Sequence, residues 1–66
     1  MKIYARMIDQ SVYEKRIKEV EETDNAIEVI EEDGSFVILP IRNIIYCKLQ
    51  KEEEKWKLLE DQKVQY

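Results

Sequence analysis

Apolar and polar side chains alternate through most of the chain, and the alternation predicts strands. Lys2 to Ile8 places Ile3, Ala5 and Met7 on one side and Lys2, Tyr4 and Arg6 on the other, the two-residue period of a half-buried strand. Asp9-Gln10-Ser11 then supplies turn chemistry. Ala26 to Glu32 alternates in the same way, with Ile27 and Val29 together. Glu32-Asp33-Gly34-Ser35 reads as a hairpin turn, because Gly34 takes positive φ without a Cβ penalty and Asp33 tolerates it. The turn sets 26–32 against the strand Phe36–Leu39, and Pro40, which lacks an amide donor, belongs at a strand end or edge. After a turn at Arg42-Asn43, Ile44 to Leu49 sets Ile44, Tyr46 and Lys48 against Ile45, Cys47 and Leu49. Both sides are apolar, so cover is expected on both faces.

Two segments do not follow this period. In Val12 to Glu22, Ser11 and Glu14 make a capping box and Tyr13, Ile17 and Val20 fall on one helical stripe. Against a helix, Glu21 and Glu22 would sit at the negative end of its dipole. As a bent strand, the segment sends Ile17 and Val20 to opposite faces unless a bulge lies between them. Local signals alone slightly favour the helix. After Gln50, Lys51 to Lys63 is rich in strong helix formers, and Leu49, Trp56, Leu59 and Lys63 share a helical face. This predicts a terminal helix held down by Trp56 and Leu59, with a fraying end.

Size and composition narrow the functional classes. A chain of 66 residues with 26 charged ones holds one small domain, with no linker and no repeat, and is marginal on its own. The single cysteine, Cys47, closes no intrachain disulfide, and without histidine a zinc site would rest on carboxylates alone. Subunit association is the remaining source of stability. The two-sided apolar strands Phe36–Leu39 and Ile44–Leu49 point to a homo-oligomer joined edge to edge, with Val37, Leu39, Ile45 and Tyr46 as its candidate interface. The amino-terminal segment lacks the apolar core of a secretory signal and no run is long enough to span a bilayer, so a soluble, cytoplasmic protein without membrane contact is expected.

Charge is unevenly placed. Residues 1–18 carry +3, residues 19–35 carry −8 and residues 36–66 carry +1. Val20, Ala26, Ile27, Val29 and Ile30 lie inside the acidic block, which is therefore a folded hairpin with a negative outer face.

Nucleophile–base pairings are missing, so no catalysis and no cofactor are expected. The runs Glu31-Glu32-Asp33 and Glu52-Glu53-Glu54 are dense, but neighbouring side chains diverge, which favours solvated faces over a cation site. Cys47, between Ile45 and Leu49, reads as a small buried hydrophobe before it reads as a reactive thiol. Trp56 is either an anchor for the terminal helix or a stacking platform for a base, the anchor being favoured.

The strand order, with Lys2 to Asp9, Tyr13 to Val20, Asp24-Asn25 and Ile41 to Tyr46 in sequence, resembles the Sm-like small barrel, and in outline the SH3-like barrels. The resemblance tips 12–22 towards a bent strand. It implies a mainly β protein with a five-stranded Sm-like/SH3-like barrel over 1–50. The C-terminal α-helix expected over 51–66 from its helix formers follows the barrel, whereas the family's helix normally precedes it; the whole is one domain. The resemblance also implies nucleic-acid contact through Asn25, Arg42 and Asn43. The family's bent-strand glycine would fall near Lys15, its Arg-Gly pair reads Arg42-Asn43, and its base-stacking aromatic falls at Thr23, which cannot stack. The expected function is a non-catalytic binding module acting through homo-oligomerisation and macromolecular contact. RNA or another single-stranded nucleic acid is the first choice of ligand. The alternative is a small regulatory protein whose acidic hairpin 19–33 docks on a basic protein partner.

Overall fold

The computed structural model describes residues 1–51 and 55–61. Along the chain run β1 (Lys2–Met7), β2 (Val12–Glu22), β3 (Ala26–Glu31), β4 (Phe36–Pro40), β5 (Ile44–Gln50) and β6 (Lys57–Asp61), with a 3-10 turn, Ile41–Asn43, between β4 and β5. All neighbouring strands are antiparallel, in the order β4-β3-β2-β1-β5-β6. The sheet is open, since among the described residues β4 pairs only with β3 and β6 only with β5.

The chain is mainly β, but this architecture corrects the expected five-stranded Sm-like/SH3-like barrel with a C-terminal helix. Six strands replace five, and the two end strands never meet to close the sheet. Within the segment expected to be helical, 51–66, residues 57–61 form a strand, while 52–54 and 62–66 lie outside the described residues. The physical reason lies in β5. Its far edge carries unpaired backbone groups beside the buried Cys47 and Leu49, and pairing with 57–61 satisfies them, which outweighs the small helix preference of each residue there. For 12–22 the strand prevails over the helix, since β2 pairs with β1 on one side and β3 on the other.

The sheet buries one face of itself. Ile3 and Ala5 of β1, Ile17 of β2, Ile27 and Val29 of β3, Leu39 of β4, and Ile44, Cys47 and Leu49 of β5 form a single cluster. No polar or charged residue is buried among the described residues. Each large aliphatic side chain hidden this way is worth about 1.5–3 kcal/mol.

Bulges make the curl possible. In the β2–β3 ladder Ile17 faces Glu31 and Glu19 faces Ile30, leaving Lys18 as an extra residue. Lys18 shifts the alternation of β2 by one, so that Ile17 before it and Val20 after it both reach the core. Ile45 does the same in β5, between Tyr46 opposite Arg6 and Ile44 opposite Met7. Ile44 is therefore buried with Cys47 and Leu49, which corrects its expected placement beside Tyr46 and Lys48. Leu59 is the extra residue of β6 and also packs against the core.

Because the exposed Lys18 serves by its presence and not by its side chain, Lys18→Ala should change stability by less than about 0.5 kcal/mol in urea denaturation. Deleting Lys18 should abolish the cooperative transition. Ile17→Ala, which empties a fully buried site, should cost about 2–5 kcal/mol in the same assay.

Candidate nucleic-acid interface

Of the residues marked for nucleic-acid contact, two share one cleft. The turn before β3 is shaped by Thr23, whose hydroxyl donates to the Ala26 carbonyl (3.0 Å) and accepts from the amides of Asn25 (3.3 Å) and Ala26 (3.1 Å). The Ile41 amide donates to the Asn25 carbonyl at 2.9 Å, which draws the 3-10 turn against it. Asn25 and Arg42 thus line a shallow cleft of about 550 Å³ together with Asp24, Ala26, Pro40 and Ile41. Asn43 does not line it, and its carbonyl accepts from the Ile8 amide at 2.9 Å. Thr23, at the position of the resembled family's stacking aromatic, is occupied in shaping the turn.

A second constellation lies on the outer face of the β1–β5 half. With Ile3 and Ala5 turned inward, Lys2, Tyr4 and Arg6 face out. The registers bring Arg16 and Gln50 beside Lys2, Glu14 and Lys48 beside Tyr4, and Val12 and Tyr46 beside Arg6. Tyr4 and Tyr46 stack with ring centroids 5.7 Å apart and an interplanar angle of 30°. The Lys48 ammonium lies over two rings at once, 5.1 Å from the centroid of Tyr4 and 4.8 Å from that of Trp56. Each such contact at an exposed site contributes about 0.5–1 kcal/mol and holds the lysine along the face. The Tyr4 phenol is held above its ordinary value, chiefly by its hydrogen bond with the Tyr46 hydroxyl and then by burial, so it stays neutral. In these rows Lys2, Arg6, Arg16 and Lys48 stand against the single carboxylate of Glu14.

The structure separates the residues named for an oligomer interface. Val37 and Leu39 lie on the edge strand β4, their side chains directed to the core. Ile45 and Tyr46 lie on β5, between β1 and β6, with Ile45 in a bulge and Tyr46 in the aromatic stack. Trp56, expected to anchor a helix, instead stands 37 % exposed beside Lys48. The aromatic cluster escaped the sequence reading because Tyr4 and Tyr46 meet only through the β1–β5 register. The signal that could have found it was an outward tyrosine on each of two strands, but β1 and β5 are not consecutive in the chain and become neighbours only by a crossover pairing.

Among the described residues, no three side chains of metal-ligating type converge. Cys47 is buried and free, and burial, followed by Glu22 and Glu60, pushes its thiol up to about 12. Tyr13 donates to the Glu31 carboxylate at 2.6 Å, tying β2 to the end of β3. Burial and that carboxylate raise the Tyr13 phenol well above its ordinary value.

Comparison with protein-family models, with curated proteins and with solved structures finds no match for this chain.

The Cys47 environment gives a measurable expectation. A thiol reagent at neutral pH should leave the folded protein unmodified and label it fully in denaturant. The neutral thiol is favoured by folding, so this contribution to stability is complete below the thiol's ordinary value of 9.0 and is lost as pH rises from there towards about 12. Denaturation midpoints across that range should fall more steeply for the native sequence than for Cys47→Ala.

Proposed function

We propose that this chain is a non-catalytic module that binds single-stranded nucleic acid, RNA foremost, on the outer face of β1 and β5 and around Trp56. The observation that supports this reading is the lysine lying between two aromatic rings, with a second tyrosine stacked alongside and three more cations in the adjoining rows. Single strands are gripped by this combination: rings stack on the exposed faces of bases, and cations track the phosphates. Lys48 serves both demands, because an ammonium resting on rings exchanges them for a phosphate at small cost while uncovering the ring faces for a base.

The net charge of −4 is compatible with this role because the carboxylates are concentrated elsewhere, between Glu19 and Asp33. Exposed charges are screened over about 8–10 Å at physiological salt, so a phosphate on the β1–β5 face responds to Lys2, Arg6, Arg16 and Lys48. The Asn25–Arg42 cleft would be a secondary contact, reached by a strand continuing past the sheet.

Fluorescence anisotropy with labelled oligouridylate and oligothymidylate tests the proposal. Binding should weaken steeply between about 50 and 200 mM salt. Trp56→Ala and Tyr46→Ala should each reduce affinity about 5- to 150-fold, the range that corresponds to one lost base stack. Lys48→Ala should lower the salt slope by about one. Absence of binding, a flat salt response, or affinity indifferent to both aromatic substitutions would overturn the reading. Loss on Arg42→Ala with none on Trp56→Ala would move the ligand to the cleft.

A further inference from the structure

We infer that the β4 edge is a docking surface for a second copy of this chain, the two β4 strands pairing antiparallel about a two-fold axis through Val37. This is separate from the primary nucleic-acid surface on β1 and β5, which lies on the other half of the sheet; only the secondary Asn25–Arg42 cleft adjoins the end of β4.

The first observation is the composition of the edge. Among the described residues β4 pairs with β3 alone, and its sequence Phe36-Val37-Ile38-Leu39-Pro40 contains no charged residue. Edge strands of soluble proteins are normally guarded by lysines, bulges or proline. The other edge, β6, carries Lys57, Glu60 and Asp61. On β4 the only guard is Pro40, at the last position. Phe36 and Ile38 are 59 % and 54 % exposed on the outer face. Lys18, Glu19, Glu21, Glu28 and Lys51, with Met1, Val20 and Ile30, line a groove that reaches Phe36, so charged residues stand on the side of the strip away from the open edge.

The second observation fixes which backbone groups are free. The Glu31 amide donates to the Ser35 carbonyl and the Ile41 amide to the Asn25 carbonyl, at the two ends of the β3–β4 ladder. Both pairs belong to the register that places Ile27 opposite Leu39 and Val29 opposite Val37, so those are the hydrogen-bonded pairs. Phe36, Ile38 and Pro40 therefore turn their backbone groups away from β3, towards the open edge.

Proline then selects the register. Centred on Ile38, a second β4 would set Phe36 against Pro40, and the Phe36 carbonyl would lack a donor because Pro40 has no amide hydrogen. Centred on Val37, Phe36 of each copy meets Ile38 of the other, and both residues exchange amide and carbonyl bonds in full. The same register sets Phe36 against Ile38 on the outer face, an aromatic–aliphatic cross-strand pair, and Val37 against Val37 on the core side. It also carries Arg42, just past the end of β4, abreast of the Glu32-Asp33 turn of the second copy, an opposite-charge pairing at each end of the interface. A single strand edge buries less than a standard interface of about 1,200–2,000 Å², so the dimer is expected to be weak and concentration-dependent.

Sedimentation velocity from about 10 μM to about 1 mM, without nucleic acid, should show a rising dimer fraction, in the regime expected of so small an interface. Ile38→Lys, at an outward position, should return the protein to monomer with its circular dichroism unchanged. Val37→Cys should cross-link to itself under mild oxidation, because residues directly opposed in a non-hydrogen-bonded pair lie about 4.5 Å apart at Cα, within disulfide reach. Val12→Cys, exposed on another strand, is the control. A monomer throughout the range, a dimer that survives Ile38→Lys, or Val37→Cys cross-linking no faster than the control would each overturn the proposal. None of these results bears on the β1–β5 face, so the two readings stand or fall separately.

Discussion

One strand has to serve both halves of this sheet, and the chemistry of the polypeptide makes that difficult. A strand sends alternate residues to opposite faces, so an uninterrupted β2 could bury Ile17 or Val20 but not both. Lys18 resolves the conflict by occupying a position that no partner residue matches. The alternation resets, the strand bends, and the same face of the sheet stays apolar from β4 through β5. With neither a second sheet nor a packed helix among the described elements, curling is the means by which this chain encloses a core. The bulges at Ile45 and Leu59 repeat the device nearer the other edge. The apolar interior, with no charged residue buried among the described residues, follows from it.

The parts of the fold legible in the sequence were those decided locally. β1 and β3 follow from alternation, and β4 follows from the hairpin turn at Gly34, which adopts φ +92° where the turn requires it. The ambiguity of 12–22 had a physical source: its capping box and helical stripe are real local preferences, overruled by two neighbouring ladders. The bulge was legible only as a condition, namely that Ile17 and Val20 share a face only if a residue is inserted. The segment around Trp56 was misread because helix propensity is a property of residues, whereas the need of β5 for a partner is a property of the sheet. The candidate site divides along the same line. Asn25 and Arg42 meet because the β3–β4 register brings the ends of two turns together, while Tyr4, Tyr46, Lys48 and Trp56 come from three separate segments.

Charge is sorted in space as it is along the chain. The basic segment supplies β1 and the first half of β2; the acidic block supplies the second half of β2, β3 and their hairpin turn. Since β2 passes from one set to the other at its bulge, the residue that changes the phase of burial also marks the change in sign of the surface. Two faces of opposite character therefore coexist on a domain whose overall charge conceals both.

β1 sits in the interior of the sheet, with Lys2 opposite Arg16 on one side and Gln50 on the other. The first of these contacts spans a short stretch of chain compared with the second, which spans most of it. During synthesis the opening strand can zip up with β2 early, yet its other edge stays bare until the residues around position 50 have left the ribosome. Closing so long a loop is entropically slow. The inner face of β1 and β2 is completed only once β5 pairs along the other edge of β1.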